Sequence, residues 1–224
     1  MDIYLFKLNF NFIFYNISKF TIVQRNKMKF IKGIFTLIGL LVVAGLVMVI
    51  VNYGSSLAKM DGKALGLYMK MADDVLTTGD PAKGMVIKRK LVIEEDSTKA
   101  EAIENAIEIM DEIADAHGLA KVDEKTMPRG GKFMKDGGLY THIRSYCSPS
   151  IADIFLSHSG EFVGFMPCRV GIVEDKNGDV WLYTMSLDMM IHGGHTLPPE
   201  LLEYANTVKE AMEQMIEKGA AGEE

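Results

Sequence analysis

Five side chains of this sequence have the chemistry to bind a soft metal ion. His192 and His195 are separated by two glycines, so both imidazoles can turn toward one ion. His142, Cys147 and Cys168 offer further nitrogen and sulfur ligands. Imidazole combined with sulfur favours copper or zinc over magnesium or calcium. The five residues predict a copper or zinc site; the alternative is a glycine-rich turn whose histidines bond to backbone groups.

The two cysteines have three alternative roles. Cys147 and Cys168 lie 21 positions apart, and in an exported domain such a pair favours a disulfide, which would stabilise the fold by about 3 kcal/mol. Buried free thiols are the second alternative, and a ligand or redox role is the third. Four methionines are further sulfur donors, although core packing is the commoner use of methionine. These are Met166, Met185, Met189 and Met190.

Signatures of well-known enzyme classes are missing from the sequence. It contains no Cys-x-x-Cys-His, no Gly-x-Ser-x-Gly, no phosphate-binding loop and no His-Glu-x-x-His. The favoured hypothesis is therefore an accessory domain that binds a small ligand, a metal or a protein partner, and no catalytic residue is assigned. A redox or metal-dependent activity of the two cysteines and the His192–His195 loop is the alternative.

Four predicted strands would position these side chains. Residues 84–93 are rich in β-branched and basic side chains. Residues 139–147 alternate between a more polar and a less polar face and end at a cysteine. Residues 168–174 and 180–186 flank Asn177-Gly178, which predicts a hairpin with a type I′ turn.

Three predicted helices complete the domain. Thr98 and Glu101 form a capping box at the start of the first helix. Ser148-Pro149 begins a short second helix, and Pro198-Pro199 begins the last one. These elements predict an α+β fold, in which an antiparallel or mixed sheet carries helices packed on one face.

An apolar segment precedes this domain. No residue between Lys32 and Lys59 is charged, and residues 34–53 suffice to span a membrane, which takes about 20 apolar residues. We therefore expect residues 28–53 to form a single-pass transmembrane anchor. A cleaved signal peptide is the alternative, because Ser56-Leu57-Ala58 has small residues where a signal peptidase acts, but this apolar run exceeds the usual length of about 15 residues.

The net charge of −6 averages two unlike parts of the chain. Residues 1–53 carry +5, and residues 54–224 carry −11. Basic flanks stay in the cytoplasm, so we expect a protein of the inner (cytoplasmic) membrane of a bacterium, with a cytoplasmic N-terminus and a periplasmic or extracellular C-terminal domain. An acidic domain has no basic surplus to neutralise phosphates, which excludes nucleic acid as a partner.

Two segments beside the membrane leave alternatives open. Residues 1–27 are either an extension that precedes the true start at Met28 or a second membrane-contacting segment. Residues 54–82 are predicted to form a helical stem and linker, because apolar residues recur every three or four positions. The apolar face of this stem either pairs with a second copy, which gives a homodimer, or leans on the α+β domain, residues 83–219. Residues 220–224 are a tail.

A pattern of short side chains and prolines carries a family resemblance. The positions concerned are Pro149, Ala152, Pro167, Cys168 and Arg169. Over residues 84–218 the pattern resembles the bacterial and archaeal family catalogued as domain of unknown function 302. The resemblance implies an α+β domain with an antiparallel sheet that often self-associates and has no established activity. It supplies no catalytic residues, and neither the anchor nor the His192–His195 loop is part of the family pattern.

Overall fold

A computed structural model describes residues 32–127 and 140–223 of the chain. The chain divides between residues 58 and 59 into two compact units. In the first unit, helix α1 (Lys32–Leu57) has 26 residues and is therefore about 39 Å long, more than the roughly 30 Å core of a bilayer. This helix is long and apolar enough to cross a membrane. The segment 1–27 and the alternative start at Met28 lie outside the described residues.

The second unit is built on a five-stranded antiparallel sheet with the strand order β1-β5-β4-β3-β2. The strands are β1 (Val86–Lys90), β2 (Ala120–Met127), β3 (Thr141–Cys147), β4 (Cys168–Glu174) and β5 (Val180–Met185). The predicted α+β fold is confirmed, and of the two sheet types expected the antiparallel one is present. Strand β2 was not predicted, because it is charged and exposed along its whole length and has no apolar alternation.

Six helices and one 3-10 helix of this unit lie within the described residues. They are α2 (Ala64–Thr78), α3 (Pro81–Met85), α4 (Lys99–Ala116), α5 (Pro149–His158), the 3-10 helix Gly160–Phe165, α6 (Asp188–His192) and α7 (Pro199–Ala221). Helices α4 and α7 pack closely: a Cβ at Gly219 would lie 3.1 Å from the Met110 side chain and 3.5 Å from that of Leu182. The core therefore lies between these two helices and one face of the sheet.

The local signals at the element ends are mostly confirmed. The Thr98 hydroxyl accepts a hydrogen bond from the Glu101 N–H, and the Glu101 carboxylate accepts one from the Thr98 N–H, which is the predicted capping box. The β4–β5 turn differs from the prediction: Gly178 has a φ of +81°, but Asn177 does not have a positive φ. A type I′ turn needs a positive φ at both central residues. The observed turn has a positive φ at its glycine only, so it is not of type I′.

Helix α2 of the stem belongs to the second unit and packs against the rest of that unit. Ala64 is buried, and Leu67, Met71 and Val75 are half-buried on the same face. This is the apolar face that the sequence predicts. Of the two alternatives for the stem, the structure therefore shows the helix leaning on its own domain.

Candidate functional site

An apolar cleft lies where β3 ends and β4 begins. Its cavity volume is about 40 Å³. Four of its side chains carry sulfur, and most of the others are aliphatic or aromatic. We call it the sulfur-lined cleft, and its lining includes Cys147, Cys168, Met166, Met190, Tyr146 and Ala152.

The connection between β3 and β4 brings the two cysteines to this cleft. Tyr146 lies opposite Cys168 in the strand pairing, and Cys147 is the next residue of β3. Ser148 is the N-cap of α5 and Pro149 is in its first turn. An N–H group at that position has no acceptor within the helix, so proline, which lacks this group, costs no hydrogen bond there. Helix α5 and the 3-10 helix then return the chain to the start of β4.

The cysteines are free thiols. Burial raises the pKa of Cys147, and it raises the pKa of Cys168 to about 11 with a further contribution from the neighbouring Cys147. Both thiols are therefore protonated at neutral pH, and neither is an activated nucleophile. The thiols are free, as in the second of the three predicted alternatives, but both cysteines are half-buried rather than buried. A disulfide is not shown.

A cluster of polar side chains surrounds Arg144 beneath α4, and we call it the Arg144 cluster. Arg144 is 3% exposed and donates to Asp111 of α4. Its Nη1 lies 3.0 Å from Glu124 of β2, and its Nε donates to the Tyr146 hydroxyl over 3.0 Å. The Tyr146 hydroxyl in turn donates to Asp111 over 2.9 Å. The buried guanidinium is thus paired with two carboxylates.

The electrostatics of the Arg144 cluster favour a structural role. Burial raises the pKa of Tyr146 far above its ordinary value. Burial acts to lower the pKa of Arg144, but the hydrogen bonds with Asp111 and Tyr146 raise it overall. The arginine therefore stays charged and the tyrosine neutral. Because the Tyr146 ring also lines the sulfur-lined cleft, the cluster fixes one wall of that cleft.

His142 lies beside the Arg144 cluster and away from the cysteines. It is five residues from Cys147 along β3, which corresponds to about 16 Å. Its Nδ1 is 3.0 Å from the Thr126 hydroxyl, and its Nε2 is 3.4 Å from Glu124 and has no hydrogen-bond partner among the described residues. Burial lowers the pKa of His142, although the Glu124 charge opposes the shift. The buried imidazole is therefore held mainly in its neutral form.

His192 connects the stem to the domain. Its Nδ1 lies 3.1 Å from the Asp61 carboxylate, and its Nε2 lies 3.4 Å from the Lys63 ammonium. The Lys63 N–H and then His192 lower the pKa of Asp61, so the aspartate is charged at neutral pH. His195 is exposed and pairs through its backbone with Met60.

The backbone of the same loop also holds the stem. The Asp61 N–H donates to the Gly194 carbonyl over 2.9 Å, and the Tyr68 hydroxyl donates to the Gly193 carbonyl over 2.7 Å. The Thr196 N–H donates to the Lys59 carbonyl over 3.2 Å. We call these contacts, together with the Asp61–His192 pair, the stem clasp.

The five residues predicted to bind a metal therefore lie in three places. Cys147 and Cys168 share the cleft, His142 lies by the Arg144 cluster, and His192 and His195 are in the stem clasp. Within residues 32–127 and 140–223, no three side chains of His, Cys, Asp or Glu form a group that could hold a metal ion. The loop is closer to the alternative interpretation of the sequence, a glycine-rich turn. It differs from that alternative because His192 bonds to a carboxylate rather than to the backbone.

Several residues of these clusters were missed at the sequence level. Neither Asp111 of α4 nor Asp61 was assigned to a site from the sequence. The available signal was the alternation of β3, in which His142, Arg144 and Tyr146 share one face. Because that face is polar in sequence, its burial required knowing that an acidic helix covers it.

The comparisons with known proteins point to one family. The profile described as "Domain of unknown function DUF302" matches residues 94–219, more than half of the chain. The crystal structure of an uncharacterized conserved protein DUF302 from Bacillus stearothermophilus is 16% identical, with a TM-score of 0.44 over 60% of this chain and 97% of that chain. No curated protein matches the chain.

Proposed function

We propose that this chain, which belongs to the DUF302 family of domains of unknown function, is a membrane-tethered accessory domain that binds a small ligand in the sulfur-lined cleft. Binding rather than catalysis is the simpler role for this cleft, because its thiols are protonated and the Ser148 hydroxyl lies 3.2 Å from that of Ser150 rather than beside a base. The family itself supplies no activity.

The observation that carries this proposal is the position of the family motif. Ala152 and Cys168 line the cleft, Pro149 begins the helix that forms one wall, and Pro167 joins the lining residue Met166 to β4 through a cis peptide bond. Residues that resemble the family pattern thus build the cleft. A pocket with apolar walls and a few polar groups is the usual form of a ligand site.

Xenon is a suitable probe of the cleft, because it is small and apolar. In the full chain in detergent micelles with ¹³C-methyl methionine, we expect xenon pressure to shift the signals of Met166 and Met190, but not that of Met69, which is 65% exposed on the stem. Ala152→Leu, which fills the cleft, should abolish these shifts, whereas Ala72→Leu at an exposed site should keep them. Shifts that persist in Ala152→Leu would contradict a ligand site in the cleft.

The second part of the proposal concerns location. We propose that α1 is retained as a single-pass anchor, with the N-terminus in the cytoplasm and the acidic domain exported. The support is the +5 charge before the span, since basic flanks stay inside. Alkaline phosphatase fused after residue 223 should be active in intact bacteria and should sediment with membranes. Inactive phosphatase would refute the orientation, and a soluble, shortened product would indicate a cleaved signal peptide.

We propose that the tethered chain forms a homodimer. The apolar face first predicted to pair is occupied by the domain, but a second stripe of α2 remains exposed. Leu65, Met69 and Leu76 are 72%, 65% and 84% exposed, and their spacing puts them on one side of the helix. Anchoring two copies in one membrane raises their effective concentration, which favours association through this stripe.

A further inference from the structure

We infer that the ligand of the sulfur-lined cleft is copper(I), bound by the thiolates of Cys147 and Cys168 and by the thioethers of Met166 and Met190. This inference rests on the proposed function, because it names the chemical class of ligand for the same cleft. It differs from the site expected from the sequence, which included three histidines that the structure places elsewhere.

The size of the cleft favours an ion over an organic molecule. Its cavity volume is about 40 Å³, whereas a cavity of about 150 Å³ is known to hold benzene. A space less than a third of that size suits a single ion or a ligand of very few atoms. Aliphatic and aromatic walls, among them Ile151, Phe155 and Val208, would exclude water from a bound ion.

The donor atoms select for a soft metal. The residues that line the cleft in the described chain supply two thiols and two thioethers, and they include no carboxylate and no imidazole. Thiolate and thioether ligands select copper(I), while magnesium and calcium need oxygen ligands. Within the described residues, no three side chains of His, Cys, Asp or Glu form a group that could hold a metal ion. The site proposed here is of a different kind, because two of its four donors are methionines.

The four donors come from three segments around the cleft. Cys147 ends β3, Cys168 begins β4, Met166 lies just before β4, and Met190 is in α6. Cys168 pairs with Tyr146 between β3 and β4, and Cys147 pairs with Ala120 between β2 and β3, so the sheet holds the backbone of both cysteines. Methionine has three rotatable side-chain bonds, so the thioethers can adjust to an ion that the two thiols hold.

The binding step involves no electron transfer. Copper enters as Cu⁺, two S–H bonds break, and two thiolate S–Cu bonds form. The two thioethers each donate a lone pair to the copper, and two protons pass to solvent. The site then carries a charge of −1. Arg169, the residue after Cys168, has a positive charge that acts on the Cys168 thiol and partly offsets this negative charge.

The test is a titration of the full chain in detergent micelles with copper(I), under anaerobic conditions and against a chromophoric copper(I) chelator. We expect one copper(I) per chain and an X-ray absorption spectrum with sulfur neighbours alone. Cys168→Ser should abolish binding. Met166→Leu and Met190→Leu should each weaken it about tenfold or more, since Leu is close to Met in volume and removes only the donor. Cys147→Ala gives a second test if Cys168→Ser does not fold.

Matched controls separate this site from the other clusters. Met189→Leu, beside Met190 but outside the cleft lining, and His192→Asn in the stem clasp should both retain full copper(I) affinity. Nitrogen neighbours in the spectrum, tighter binding of zinc, or unchanged affinity in both methionine variants would overturn the inference. If xenon enters the cleft and copper(I) does not bind, the ligand site stands and copper(I) is refuted; if xenon does not enter either, the proposed function fails as well.

Discussion

Arg144 shows what the burial of one charged residue demands of its neighbours. Burying a guanidinium so that it is 3% exposed has a large desolvation cost, which carboxylates and hydrogen bonds must offset. Asp111 provides both, because it pairs with Arg144 and accepts from Tyr146. The acidic side of α4 is therefore not only a solvent face: one of its aspartates ties the helix to the sheet.

Removing Asp111 should destabilise the domain strongly. Asp111→Ala leaves the buried guanidinium with Glu124 as its remaining carboxylate, and breaking a buried pair costs about 3–5 kcal/mol. Urea unfolding of the full chain in detergent micelles, followed by Trp181 fluorescence, measures the loss. Glu112→Ala, at the exposed neighbouring position, should change stability by less than about 0.5 kcal/mol. Equal losses for the two variants would refute the pairing role.

His142 should make the stability of the domain depend on pH. Burial lowers its folded-state pKa below the ordinary value of 6.5. Well above pH 6.5 the imidazole is neutral in both states and contributes no pH dependence. As the pH falls below this value, the unfolded chain takes up a proton that the folded chain resists, so stability decreases until the folded pKa is reached.

The measurement is urea unfolding of wild type and His142→Asn at intervals between about pH 7.5 and pH 5.5, one pH unit either side of the ordinary value. Asparagine keeps a polar group near the Thr126 hydroxyl but does not titrate. We expect the variant to lose less stability than the wild type as the pH falls. Asp61 and Asp188 have pKa values below 3.8 and do not titrate in this window. Parallel pH profiles would contradict a buried neutral histidine.

At the level of elements, the end of α6 explains one of the two glycines between the histidines. A Cβ at Gly193 would lie 2.3 Å from the Met189 carbonyl oxygen, whereas one at Gly194 would meet nothing within 4 Å. Gly193 is thus required for the close approach at the end of α6. The sequence suggested flexible spacers for a metal site; the structure shows a tight turn that receives the stem.

The two histidines of this loop should differ in their effect on the stem. His192→Ala removes a partner of the Asp61 carboxylate, which is 11% exposed, and loss of such a hydrogen bond costs about 1–3 kcal/mol. Amide exchange in α2 should therefore accelerate about tenfold or more. His195→Ala should leave exchange unchanged, because His195 contributes its backbone. Hydrogen exchange with mass spectrometry of residues 64–78 tests both, and equal effects would refute the clasp.

Local signals predicted elements well, and contacts between elements poorly. The capping box at Thr98 and the first-turn proline at Pro149 depend on residues close in sequence, so they could be found from the chain alone. The pairing of Asp61 with His192 spans 131 positions, and no periodicity carries such information. The two cysteines were expected to be neighbours because strand ends can be located, but the two methionines beside them required the tertiary fold.

At the scale of the whole molecule, the proposed membrane tether gives the two units different solvents. Helix α1 exposes apolar side chains along its length, which suits lipid, while the remainder of the chain carries most of the acidic residues, which suits water. The net charge of −6 is therefore a sum over two environments. The stem connects them in sequence, and its exposed apolar stripe is a feature of the second unit that solvation by water does not explain.

That exposed stripe makes the oligomeric state testable. Burying Leu65 and Met69 against a second copy would remove two large apolar side chains from water, at about 1.5–3 kcal/mol each. We expect light scattering of the full chain in detergent micelles to give a dimer mass, and Leu65→Lys with Met69→Lys to give a monomer. Lys70→Glu, at an exposed polar position outside the stripe on α2, should remain dimeric. Because the opposite face of α2 is occupied by the domain, a wild-type monomer would exclude pairing through the stem altogether.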